Sequence, residues 1–152
     1  MFSISRAFHK KLWSAMLTGV LLLFAGAACA KVIPLHAALH PCAGVQTSGV
    51  GAMKGTYNTV SHMVSWEVTY SHLTSDVIMA HFHGPISKPG ASAPVQVWLT
   101  KRPPHPMASA PIIGKAKISP KQAKELLGGH WYVTIHTVKY HDGEMRGRIH
   151  TN

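Results

Sequence analysis

Two histidines, His81 and His83, stand two residues apart in the segment Ala-His-Phe-His-Gly-Pro that covers residues 80–85. Because successive side chains of an extended strand point to opposite faces, the two imidazoles project from the same face. The Gly-Pro pair that follows ends the strand. Neutral imidazole nitrogens are good ligands for copper and zinc, so this pair is the first candidate for chemistry in the chain.

A third histidine, His136, lies in a later segment whose aromatic and β-branched residues predict another strand. Three imidazoles that converge from neighbouring strands suit a copper or zinc ion. Met79 shares the predicted face of His81 and His83, and a thioether favours copper. The loop at residues 105–107, His-Pro-Met, could add a second soft contact. We therefore predict a metal site at His81 and His83 that an imidazole from a neighbouring strand completes, with copper as the first choice and zinc as the second.

The same histidines have a structural interpretation. His81 and His83 could donate hydrogen bonds to backbone carbonyls and hold the turn at Gly84. His136 could do the same on its own strand. Both interpretations remain open at the level of the sequence.

A hairpin is predicted near the C-terminus. The Asp-Gly pair at residues 142–143 is typical of a two-residue turn, and residues 144–150 supply the returning strand. This register places His136 opposite Ile149, an apolar neighbour. Glu144 and Arg146 share one face of the returning strand and could form a cross-strand ion-pair network, but we predict solvated edge charges worth ~0–1 kcal/mol.

The first thirty of the 152 residues have the features of a secretory signal peptide. Three basic residues precede an apolar run at residues 12–28, and the small-residue pattern Ala-Cys-Ala predicts cleavage after Ala30. Lipid attachment at Cys29 is the weaker alternative. The prediction is a periplasmic or secreted domain over residues 31–152, without a transmembrane segment in the mature chain.

The composition narrows the classes of function. The chain has 15 Lys and Arg against 5 Asp and Glu, and three of the basic residues belong to the leader. Such a surface favours an anionic envelope polymer or a protein partner. The basic residues are scattered, so nucleic acid is not an expected partner. Five acidic residues offer no obvious catalytic pair, and no Gly-x-Ser-x-Gly motif occurs, so we do not expect an enzyme.

Only one cysteine, Cys42, remains after the leader, so no disulfide can form within the mature domain. It could be a ligand, an intermolecular bridge or a bystander.

Residues 31–152 are predicted to form mostly short antiparallel strands. The predicted strands cover residues 51–58, 64–70, 77–83, 95–99, 131–138 and 144–150. One short helix interrupts them, because Ser119, Pro120 and Gln122 form a capping box with proline at the first helical position. Gly128 and Gly129 end this helix. The pattern predicts an antiparallel sandwich or barrel.

Three blocks in order, at residues 80–85, 127–137 and 143–149, make the chain resemble the CHRD domain, the module named for chordin that also occurs singly in exported bacterial proteins. The resemblance extends from about residue 35 to residue 150. It implies an immunoglobulin-like all-β domain in which His81, His83 and His136 occupy family-type positions, and this selects His136 as the third predicted ligand of the copper or zinc site. Thr134 stands where Asn is more usual, and Met145 replaces an aliphatic residue. In animals the module accompanies growth-factor binding, whereas the bacterial forms have no settled activity.

The combined prediction is an exported, non-enzymatic, immunoglobulin-like antiparallel β-sandwich or barrel with one short helix. Its expected activity is binding of copper or zinc. The alternative is a structural or adhesive envelope module in which the histidines are structural.

Overall fold

The computed structural model of the protein describes residues 29–101 and 108–151. The predicted signal segment up to residue 28 and the His-Pro-Met loop at 105–107 lie outside these ranges. Cleavage of the leader and a soft contact from that loop therefore stay predictions. In the described part of the chain, the single helix is too short and too polar to cross a bilayer.

The described residues form nine strands and one helix. They are β1 Val32–Pro41, β2 Val50–Asn58, β3 Met63–Ser71, β4 Val77–His83, β5 Val95–Trp98, β6 Ile112–Lys117, α1 Pro120–Leu127, β7 Tyr132–Thr137, β8 Met145–Arg148 and β9 His150–Thr151. The strands form one antiparallel sheet in the order β5-β4-β7-β8-β1-β2-β3-β6, with β9 paired to β1. The sheet curls into a nearly closed barrel, which confirms the predicted all-β fold.

Apolar residues that alternate along the strands fill the interior. In β1, Leu35, Ala37 and Leu39 are buried between exposed neighbours. Trp66 and Phe82 meet edge to face across the core, with 5.4 Å between ring centroids. Core placement of aromatic rings follows from the large apolar area that each one removes from water.

Two strands, β1 and β6, are absent from the prediction made on sequence. The prolines at positions 34 and 41 in β1, and Gly114 in β6, weaken the usual strand signals. Gly114 has a packing reason, because a Cβ there would lie 2.5 Å from Cζ2 of Trp66. Gly114 therefore weakens the strand signal in the sequence, and its lack of a side chain is also what lets β6 pack against Trp66.

Helix α1 has the predicted ends. The Ser119 hydroxyl accepts from the Gln122 N–H at 3.2 Å, and the Gln122 side-chain oxygen accepts from the Ser119 N–H at 2.9 Å. Gly128 is the C-terminal cap, and Ala123 and Leu126 pack into the core. The capping box is confirmed in every contact.

The predicted two-residue hairpin turn is wrong. β7 and β8 pair Thr134 with Arg146 and Ile135 with Met145, so His136 does not face Ile149. The connection between β7 and β8 is longer than two residues. Within it, the Tyr140 carbonyl accepts from the N–H groups of both residue 137, at 3.2 Å, and residue 143, at 3.1 Å. This wide loop covers the end of β7.

Glu144 is not a solvated edge charge, so that prediction is also wrong. Its side chain is fully buried, and its carboxylate accepts from the hydroxyls of Thr47, Thr74 and Thr137 at 2.6, 2.7 and 2.8 Å and from the Thr74 N–H at 2.9 Å. Burial raises the pKa of Glu144, but these hydrogen bonds outweigh it and hold the pKa below its usual value. The carboxylate ties two loops to the end of β7.

Candidate metal centre

Strand β4 carries the core on one face and histidines on the other. Ala80 and Phe82 are fully buried in the interior, so His81 and His83 lie on the opposite face. Ile78 is only half-buried, because a bulge between Val77 and Met79 shifts the alternation and buries Val77 instead.

The neighbouring strand β7 brings His136 to the same place. Pairing of β4 with β7 sets Met79 opposite His136 and His81 opposite Thr134. Directly opposite side chains share a face, so His136 lies diagonally across from His81. The ring centroids of this pair are 5.1 Å apart.

The structure brings all three predicted ligands together. One ring nitrogen from each of His81, His83 and His136 can be chosen so that all three lie within 4.8 Å of one another. A copper or zinc ion with nitrogens at about 2.0–2.1 Å needs nitrogen separations of about 3.3–3.6 Å. The 4.8 Å limit exceeds these separations, so binding an ion requires the rings to move closer together.

Two of the three rings are oriented by backbone carbonyls. His83 Nδ1 lies 2.9 Å from the Ala93 oxygen, and His136 Nδ1 lies 2.8 Å from the His141 oxygen. A carbonyl only accepts, so each Nδ1 carries the proton and each Nε2 has a free lone pair. This is the arrangement by which outer hydrogen bonds orient metal-binding histidines.

His81 differs from both. It is 4 % exposed, and neither ring nitrogen has a hydrogen-bond partner within residues 29–101 and 108–151. Trp98 of β5 packs edge-on against it, with 4.2 Å between ring centroids. A neutral imidazole in this state carries a proton on one nitrogen and offers the lone pair of the other, in either tautomer, to a ligand.

The cluster is electrically neutral at pH 7. Burial is the largest cause, and the neighbouring His136 and His83 the next, of a His81 pKa lowered to about 4. Burial is also the largest cause of the lowered pKa values of His83 and His136, which the carbonyl hydrogen bonds partly offset. Neutral imidazole is the form that binds a metal.

These shifts predict how the metal-free protein responds to acid. The unfolded chain gains protons on its histidines below pH 6.5 while folded His81 stays neutral down to about pH 4. Folding stability therefore falls as pH drops through this window, by on the order of 3 kcal/mol. Urea unfolding of the metal-free protein between pH 4 and 7 measures this slope. The His81→Leu variant should show a smaller slope, and an equal slope would contradict the assignment.

Three further side chains at the centre were not predicted as site residues. Tyr132 stacks on His83 with its ring centroid 5.0 Å away, and the Arg146 guanidinium lies 4.0 Å above the Tyr132 ring. Thr134 is 4 % exposed and lies on β7 between Tyr132 and His136. The period-two alternation that joins positions 132, 134 and 136 could have indicated this shared face.

Cys42 lies beside the centre without belonging to the three-nitrogen cluster. A Cβ on Gly143 would lie 3.4 Å from the Cys42 Sγ and 4.0 Å from the His136 Cε1. The thiol is free and half-buried, and burial raises its pKa. Cys42 is thus a neighbour of the site and, in its neutral thiol form, a poor ligand.

Comparison with known proteins agrees with the resemblance seen in the sequence. Searches of curated proteins and of solved structures found no match. The family model described as the CHRD domain matches residues 33–149, which is most of the chain. The protein belongs to the CHRD domain family.

Proposed function

We propose that this CHRD protein is an exported metal-binding protein that holds one transition-metal ion, copper first and zinc second. The ligands are the Nε2 atoms of His83 and His136 and one nitrogen of His81. One observation carries the proposal: His81, His83 and His136 each bring one ring nitrogen within 4.8 Å of the others, and each ring has a buried nitrogen without a hydrogen-bond partner among the described residues.

The hydrogen bonds favour this proposal over purely structural histidines. A histidine kept for structure should have its buried nitrogens satisfied, since an unpartnered buried polar group costs about 1–3 kcal/mol. His81 has neither nitrogen satisfied among the described residues, and His83 and His136 each have only Nδ1 satisfied. A bound ion would satisfy all three at once.

We rank copper before zinc as the bound ion for two reasons. Divalent copper exceeds zinc in its affinity for a given nitrogen site, and a soft thioether selects Cu(I). Met79 lies directly across from His136 and is half-buried, so it is placed on the ligand face. Zinc remains compatible, because three histidines also form zinc sites.

The direct test is calorimetric titration of the purified protein with Cu(II), with Zn(II), and with Cu(I) under anaerobic conditions. We expect one equivalent to bind wild type, and at least about 100-fold weaker binding in the His81→Ala/His83→Ala variant. The matched control is His36→Ala/His150→Ala, which removes an exposed cross-strand pair with ring centroids 5.8 Å apart.

The control separates the buried cluster from adventitious binding by surface histidines. Equal binding by wild type and the cluster variant, with loss in the control, would contradict the proposal. Absence of one-equivalent binding for all three ions would also contradict it.

A second candidate function rests on a cleft that adjoins the metal centre through Tyr132 and Arg146. The cleft has a volume of about 370 Å³, its lining includes His40, Arg146 and Arg148, and no acidic side chain of residues 29–101 and 108–151 lines it. Positive groups of this kind attract anionic polymers of the cell envelope. Salt-sensitive retention on a polyanion column, lost in Arg146→Met/Arg148→Met and unaffected by metal, would favour this adhesive role.

A further inference from the structure

Thr134 has an unexplained hydroxyl at the metal centre. It faces His81 across β4 and β7, and it stands two residues from His136 on the same face. Its Oγ1 is buried and has no hydrogen-bond partner in the described part of the chain. Valine has the same shape without the cost of a buried, unpartnered hydroxyl. The hydroxyl therefore points to a ligand that it would contact.

A positive charge lies on the other side of Thr134. Arg146 of β8 pairs directly with Thr134, so its side chain shares the face of the cluster. Its two terminal nitrogens donate to the carbonyls of Gly90 and Ala91, each at 3.2 Å, and its guanidinium packs over Tyr132. The charge is therefore held in place, and it contributes to the lowered pKa of His83.

A cleft lies beside this row of residues. It has a volume of about 570 Å³, is lined by the loops at residues 42–45 and 139–143, and has Arg146 on its wall. Gly143 separates the cleft from the cluster, since a Cβ there would lie 2.7 Å from Thr134 Cγ2 and 4.0 Å from His136 Cε1. Gly143 thus lies between a small solute in the cleft and the histidines.

We propose that the metal held by the three histidines keeps one open coordination position, which takes a small anion from solution. The Thr134 hydroxyl donates a hydrogen bond to the anion, and Arg146 attracts it by charge. This inference rests on the proposed metal binding. Three protein ligands with a free fourth position is the arrangement in which a metal takes an exogenous ligand. The burial of His81 and Thr134, each 4 % exposed, restricts that ligand to a few atoms.

The test uses azide as the probe anion on protein loaded with one equivalent of Cu(II), followed by the azide-to-copper charge-transfer absorption. Wild type should bind azide. Thr134→Val should bind it about tenfold more weakly, and Thr134→Ser, which keeps the hydroxyl, should bind within about threefold of wild type.

Charge variants test the second half of the proposal. Arg146→Met should weaken azide binding about tenfold, and Arg148→Met, which removes a charge from an exposed position on the same strand, should leave it unchanged. Arg146→Lys keeps the charge and should retain most of the azide affinity. This variant distinguishes loss of the charge from a change in loop packing. Polyglutamate should not compete with azide, because a polymer carboxylate cannot reach the buried centre.

The outcomes separate this inference from the metal proposal. Stoichiometric copper binding without an azide band would overturn the open position and leave the metal site standing. Equal azide affinity in wild type, Thr134→Val and Arg146→Met would overturn the roles of both residues. Competition by polyglutamate would overturn the restriction to small anions. Failure to bind copper, which is measured before azide is added, would overturn both proposals.

Discussion

Saturating copper or zinc is expected to raise the thermal unfolding midpoint of the wild-type protein by about 10 °C or more. A ligand that binds only the folded state at 1,000 times its dissociation constant stabilises that state by about 4 kcal/mol. In a domain of this size, each kcal/mol shifts the midpoint by roughly 3–6 °C. Differential scanning calorimetry with and without each metal, in a buffer that does not chelate, measures the shift.

The His81→Leu variant should show no metal-dependent shift and should be at least as stable as metal-free wild type. The reason is that leucine removes a buried imidazole whose two nitrogens have no partner in residues 29–101 and 108–151. Replacing an unpartnered polar group by an apolar one of similar volume is neutral or stabilising. Structural histidines predict the opposite result, since their loss would destabilise the fold. A destabilised His81→Leu protein, together with a wild type whose unfolding midpoint does not change when metal is added, would contradict the metal interpretation.

Truncation of Glu144 should have the largest effect on the fold itself. Glu144→Ala is expected to lower the free energy of unfolding by about 3–5 kcal/mol, the range for breaking a buried charged network. The substitution leaves three threonine hydroxyls and the Thr74 N–H without the carboxylate that accepts from them. Chemical denaturation at pH 7, with metal absent, measures the loss.

Two variants calibrate that result. Glu144→Gln keeps the shape and one oxygen acceptor, so it should lose less, about 1–2 kcal/mol. Glu67→Ala removes an exposed glutamate from β3 and should leave stability nearly unchanged. If Glu144→Ala resembles Glu67→Ala, the buried network does not stabilise the protein.

The sequence alone was sufficient where the contacts are local. The capping box joins Ser119 to a residue three positions away, and α1 has both of its hydrogen bonds. Residues two apart in a strand share a face whatever the rest of the fold does, which put His81 and His83 together. The strand pattern predicted the all-β architecture, the family resemblance selected His136, and the chain belongs to that family.

The tertiary structure decided what depends on register and on loops. A turn at Tyr140 shifted the hairpin, moved Ile149 away from His136 and aligned Thr134 with Arg146. Glu144 is buried by threonines up to 97 residues away in sequence. A local sequence pattern does not predict contacts over such a separation. Side-chain period and capping are fixed by neighbours along the chain, so the sequence determined them. Pairing partners and the solvation of a charge are fixed by elements that meet only on folding, so only the folded protein determined where the three nitrogens converge.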